Sequence, residues 1–326
     1  MRFDCLFFSG LKGAGLPLKS RPGFELFENF YLLTASKDKR DLIASYNQEL
    51  GTLERDFLMR PGGGLVYEKS KVEIDLAVID ERVNGLLIAK LAKVQNWLNQ
   101  LWLVTDHAIN HDVGYLALKI GQNWHLTSNT WEASFSLADG SNRDTAVSNK
   151  LIKEAASFKL KSEYGDDVGP VELHKSGFHG NRGTKLDSSG ARIERFLYFT
   201  AGARATQDLG IKVALYCSAI ESLFSTSNSE VVHQVAERVA LAADSGLSER
   251  EIVYRKVKQA YALRSKAVHG AAINEKALPK LSVASVDLDK ICRQVAQKFF
   301  TDPEFREMLS GNDESIDSFW IRKILQ

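Results

Sequence analysis

At 326 residues, 44% of them hydrophobic and 25% charged, the chain has the composition of ordinary globular protein and enough length for two domains. Its 42 basic and 41 acidic side chains leave a formal charge of +1, so any attraction for a polyanion has to be local rather than global. No apolar run approaches the roughly 18 to 20 uncharged residues of a bilayer span, and the start of the chain lacks a signal-peptide pattern; a cytoplasmic protein with no membrane partner is expected.

In chain order, the first half reads as mixed α and β. Met1 to Phe8 has strand character. Gly13 to Ser20 resembles a phosphate loop only superficially: Leu18 stands where a second glycine is required and Pro22-Gly23 interrupts the helix that should follow, which excludes nucleoside triphosphate hydrolysis there. A helix is expected over Asp41 to Leu58, and Pro61-Gly62-Gly63-Gly64 reads as a flexible turn before a strand at Leu65 to Tyr67. Val83, Leu87, Leu91, Val94, Leu98, Leu101 and Val104 recur every three or four residues, which predicts one long helix with a core-facing stripe. His107 and His111, with Asp106 and Asp112 beside them, have the spacing of half a metal site on one helix face; without a third ligand they are expected as surface or capping residues. Strands follow at Val113 to Ile120 and Trp131 to Leu137, joined through Gly121-Gln122-Asn123 as a hairpin. Trp97, Trp102, Trp124 and Trp131 fall on apolar stripes or strand alternation and are expected in the core. Cys5, Cys217 and Cys292 are far apart and are expected as buried free thiols in a reducing compartment.

Between Tyr164 and Gly190 apolar periodicity fades while glycine recurs, so a domain boundary is expected near 180, and His174 and His179 fall in this connection. Residues 1–180 are thus expected as an α+β domain whose role, sensing or recognition, no motif identifies, and residues 181–326 as an all-α bundle. The bundle's helices are expected from a cap at Asp187 or Ser188 through Ile193 to Ala203, over Ile211 to Phe224, along Val231 to Ala240, from Ser248 to Val268 and over Asp287 to Phe299. The first of these has room to dock apart, which would leave a four-helix bundle. Gly311 to Gln326, with Phe319-Trp320-Ile321, is expected as a docked tail.

The fourth of these helices closes on Tyr261-Ala262-Leu263-Arg264-Ser265-Lys266-Ala267-Val268-His269-Gly270. Between residues 251 and 270 the cations Arg255, Lys256, Lys258, Arg264 and Lys266 face the single acid Glu251, a local attraction for polyanions. On an ideal helix Arg264 and His269 lie about 140° apart, so both reach one phosphate only if the helix stops near Val268, with Gly270 in the left-handed conformation, or if a two-fold dimer brings two such pairs together. Cleavage of RNA without metal needs a base for the 2′-hydroxyl, an acid for the leaving 5′-oxygen and a cation on the pentacoordinate phosphate. Arg264 suits the last task and His269 the proton transfers.

With Ala219-Ile220-Glu221-Ser222-Leu223-Phe224 and Val235-Ala236-Glu237-Arg238-Val239-Ala240 upstream, this segment resembles the Apea-like branch of the HEPN (higher eukaryotes and prokaryotes nucleotide-binding) superfamily over roughly residues 205 to 300. The resemblance implies a helical bundle that forms a homodimer and, in many members, a metal-independent endoribonuclease of toxin or antiphage systems. It implies Arg264 and His269 as catalytic, with Ser265 and Glu221 supporting. Arg255, Lys256, Lys258 and Lys266 are the expected RNA-binding residues, no cofactor is expected, and an unknown trigger would act through the first domain. Ser265 departs from the Asn, Asp or His common at that position. The alternative is a non-catalytic dimerisation or nucleic-acid-binding module.

Overall fold

The computed structural model describes residues 1–15, 24–46, 49–75, 77, 79–130, 134–158, 192–227, 229–243, 246–268 and 277–325. The chain divides into two compact units, Met1–Ser134 with Asn142–Arg182 and Phe135–Ser141 with Gly183–Gln326. The boundary expected near 180, the caps at Asp187 and Ser188, and His174 and His179 all lie outside the described residues, as does Trp131. A mostly antiparallel sheet with helices comes first and a helical region second, the α+β and all-α order expected. Among the described residues no helix is long and apolar enough to cross a membrane.

The first unit runs β1 (Arg2–Lys12), β2 (Ala14–Gly15), β3 (Phe24–Phe27), β4 (Phe30–Leu33), α1 (Ser36–Ile43), α2 (Thr52–Met59), β5 (Gly64–Glu73), α3 (Ile79–Val104), β6 (Asn110–Ile120), β7 (Asn123–Thr130), β8 (Thr145–Ala146) and α4 (Asn149–Ser157). Six strands form one sheet in the order β3-β4-β5-β1-β6-β7, and β2 pairs with β8 in parallel. Strand β1 is central and buried on both faces, which is why Cys5-Leu6-Phe7-Phe8 reads as a continuous apolar run. Phe3, Cys5 and Phe7 share a core with Leu87, Leu91, Val94, Trp97 and Leu98 of α3, while Leu6 and Phe8 turn to Ile43, Tyr46, Leu50 and Leu58 on the other face. Helix α3 is longer than its predicted stripe but presents that stripe as expected.

Four expectations are corrected. Asp41 to Leu58 is two helices, α1 and α2, with a tight turn at Ala44–Tyr46 between them and Gly51 in extended conformation at the start of α2. The second strand of the hairpin is β7, not Trp131 to Leu137; Ser134 to Leu137 are not strand. His107 and His111 are not surface residues: they are 0% and 2% exposed, and His111 lies in β6 rather than on a helix. His107 accepts from the Ile109 N–H through Nδ1 at 3.1 Å, which puts its proton on Nε2, 2.8 Å from the Leu98 carbonyl. Finally, the turn at Pro61 to Gly63 is held rather than loose, because buried Lys39 of α1 donates through Nζ to the carbonyls of Arg60 and Gly63. Burial lowers the pKa of that ammonium.

The second unit comprises α5 (Arg192–Ala205), α6 (Leu209–Phe224), α7 (Val231–Ala242), α8 (Leu247–Val268), α9 (Leu278–Thr301), α10 (Pro303–Leu309) and α11 (Asp313–Ile324). Helix α6 touches α5, α7, α8 and α9, which accounts for its nearly all-apolar sequence; α5 packs along it instead of docking apart. Asp208 caps its first turn, accepting from the Ile211 N–H at 2.8 Å. Helix α9 begins earlier than the predicted Asp287. The tail is docked through Ile316, Phe319 and Trp320, whereas Ile321 is exposed. Cys5, Cys217 and Cys292 are free and buried, as expected.

The carbonyl end of α6 meets two guanidinium groups. Arg238 of α7 donates through Nη1 to the Phe224 carbonyl at 2.8 Å, and Arg192 of α5 donates to those of Ser222, Leu223 and Ser225, the last at 2.8 Å. Both arginines are also paired with carboxylates of α11, Arg192 with Asp313 and Arg238 with Asp317. Cations at this end offset the helix dipole, a contribution of up to about 2 kcal/mol each when partly buried.

Candidate functional site

Helices α6 and α8 pack side by side, and three of their side chains meet near the end of each. Tyr261 and Arg264 are three residues apart on α8 and therefore share a face; Glu221 sits in the last turn of α6. Arg264 Nη1 donates to Glu221 Oε2 at 3.1 Å, and the Tyr261 hydroxyl donates to the same oxygen at 3.3 Å and toward the Cys217 carbonyl at 3.5 Å. The guanidinium carbon lies 5.6 Å from the centre of the Tyr261 ring, a cation–π contact. Glu221 thus gathers a charged donor and a neutral one at a single oxygen.

Burial decides which groups here ionise. Tyr261 is buried, and desolvation first, then the neighbouring Cys217 and Glu221, raise its phenol pKa against the pull of Arg264; it remains a hydrogen-bond donor. The Cys217 thiol is pushed up to about 12 by burial, with Arg264 lowering it and Glu221 raising it, so it is no nucleophile at neutral pH. Arg264 and Glu221 are each 33% exposed through their side chains. A pair so open to water contributes at most about 1 kcal/mol to stability, so its importance lies in where it fixes the guanidinium.

The other predicted residues fall elsewhere. Ser265 and Lys266 are exposed, and α8 is described as far as Val268; His269 and Gly270, and with them the expected helix stop, lie outside the described residues. Nine residues separate Arg255 from Arg264, about half a turn out of phase at 100° per residue, so Arg255, Lys258 and Lys266 share the outer face while Arg264 faces α6. The basic run is also partly neutralised from within and from outside its helix. Arg255 pairs with Glu251 at 2.5 Å and Lys256 with Asp287 of α9 at 2.7 Å, while Lys258 stands over the Tyr254 ring at 5.4 Å. The structure brings Glu221 and Arg264 together, and does not bring Arg264 together with the outer lysines.

Two participants had no assigned role in the sequence reading. Tyr261 was legible, since a residue three before Arg264 shares its face. Arg238, inside one of the segments that carry the resemblance, acts on the end of α6, a role visible only once α6 and α7 are packed. Among the described residues no group of three or more His, Cys, Asp or Glu side chains is placed to hold a metal ion. No family model, curated protein or solved structure matches the chain.

Proposed function

We propose that the helical unit is a metal-independent endoribonuclease of the HEPN type, in which Arg264 binds the scissile phosphate and His269 moves protons to and from the ribose and the leaving oxygen. The observation that carries this reading is the clamp on Arg264: a partly exposed guanidinium oriented by Glu221 and Tyr261, five residues before His269 in the sequence. A guanidinium fixed in this way binds a phosphate with less loss of side-chain freedom than a mobile one. Exposed Lys258 and Lys266 supply attraction for the RNA backbone, Arg255 and Lys256 less so because Glu251 and Asp287 share their charges. Exposed Val283 and Val286 on α9 favour a second copy of the chain as partner.

The test is incubation of the full chain with cellular RNA in the presence of chelator. Cleavage is expected to persist, and to fall by about 10² to 10⁴-fold in His269→Ala. Arg264→Ala is expected to be similarly inactive, and Glu221→Gln to retain part of the activity. The second reading, a binding module without turnover, is favoured by one observation: Glu221 already occupies Nη1 of Arg264. It predicts RNA retention that weakens in Arg264→Ala, with no cleavage by any form of the chain.

A further inference from the structure

Strand β7 ends the sheet of the first unit, and its pairing with β6 shows which backbone groups it leaves open. The register places Ile120 opposite Asn123, Leu118 opposite His125, Leu116 opposite Thr127 and Gly114 opposite Asn129. After a two-residue loop these are the pairs that exchange hydrogen bonds, so Trp124, Leu126 and Ser128 turn their N–H and C=O groups away from β6. Among the described residues those groups meet no partner. The run closes at Thr130, whose N–H donates to Asn129 Oδ1 at 2.8 Å. Among the described residues nothing blunts this edge: β7 contains no proline and no lysine, and its pairing shows no bulge.

A cleft of about 460 Å³ opens beside the same strand, lined by Leu126, Ser128 and Thr130, by Tyr115 of β6, by Glu49 in the turn before α2 and by Glu54 in the first turn of α2. Among the described residues Glu49 and Glu54 are its only charged lining residues. A strand added beyond β7 directs every second side chain to the face on which Leu126 lies, and that face opens on the cleft. Backbone groups waiting for a strand and two carboxylates waiting for a cation therefore stand next to each other.

We propose that β7 and its acidic cleft form a docking site for an extended peptide segment of another protein, which pairs with β7 as an additional strand and sets a lysine or arginine side chain against Glu49 and Glu54. The site belongs to the first unit alone and is independent of the ribonuclease reading.

The experiment measures fluorescence anisotropy of dye-labelled, acetylated peptides that alternate threonine with lysine, with glutamate or with serine, titrated with the full chain. The lysine peptide is expected to bind saturably, the serine peptide about tenfold more weakly, and the glutamate peptide not at all. Glu54→Gln is expected to reduce lysine-peptide affinity to about that of the serine peptide. Ser128→Pro removes one outward N–H without touching the β6–β7 ladder and is expected to weaken all binding; where that variant does not fold, Glu54→Gln carries the test. No saturable binding of the lysine peptide, equal binding of the glutamate peptide, or undiminished binding after N-methylation of alternate peptide amides overturns the proposal. So does a dimer of the chain that Ser128→Pro dissolves, which would give the edge to a second copy.

Discussion

Asp289 of α9 is 1% exposed, yet its carboxylate accepts from the Tyr216 hydroxyl at 2.9 Å and from Arg293 Nε at 2.8 Å. Burial and the nearby charge of Asp289 raise the Tyr216 pKa well above its ordinary value, so the phenol stays a donor. Asp289→Ala is expected to cost about 3 kcal/mol in urea unfolding, because it strands a phenol and a mostly buried guanidinium, whereas Asp289→Asn retains an acceptor and costs less. Half of this arrangement was legible: Asp289 and Arg293 are four residues apart on one helix. Tyr216 is 73 residues away, and only tertiary packing brings it in. The same holds at the candidate site. Tyr261 and Arg264 are neighbours by helical arithmetic, while Glu221 reaches them only because α6 and α8 pack together.

Among elements, long amphipathic or wholly apolar helices were the most legible, as α3, α6 and α8 show, because their periodicity outlasts local noise. Strand β7 was missed because an edge strand needs few apolar residues: only Trp124 and Leu126 join the core. The alternation from Trp131 to Leu137 made the better pattern and was misleading. Phe135 instead lies under the Arg204 guanidinium at 3.9 Å, and the Ser136 N–H donates to the Arg204 carbonyl at 2.9 Å, so these residues satisfy contacts of the helical unit. The approach of α3 to the sheet has its own test at Gly114 of β6. A methyl group there would lie 2.5 Å from Leu91 Cδ2 and 2.9 Å from Leu91 Cγ. Gly114→Ala is therefore expected to destabilise the fold by about 1 to 3 kcal/mol, read as a lowered thermal midpoint, and Leu91→Ala in the same chain to recover part of it.

For the whole molecule, acid should act on the two units in different pH windows. Burial first, against the backbone and charge of Asp112, lowers the His111 pKa from 6.5 to about 4, so the folded first unit holds this ring neutral while the unfolded chain protonates it. Its contribution is complete above pH 6.5 and is lost as the pH falls to about 4, a change on the order of 3 kcal/mol. In the helical unit burial raises the pKa of Asp317, but hydrogen bonds from Thr226 and Arg238 and the charges of Arg238 and Arg192 outweigh it and hold the carboxyl below 3.8. That contribution is present above 3.8 and disappears only at lower pH. Trp97, Trp102 and Trp124 report on the first unit and Trp320 on the second, so in Trp320→Phe the urea midpoint read by emission is expected to fall between pH 6.5 and 4; replacing His111 with leucine should flatten that fall. The caps on α6 carry a consequence for synthesis. Arg192 and Asp313 are 121 positions apart and Arg238 and Asp317 are 79, so a ribosome releases the most apolar helix of the unit long before it makes the anions that balance its caps. A nascent chain therefore holds α6 without those counter-charges until α11 emerges, and a chain truncated before Asp313 is expected to leave both arginines without them.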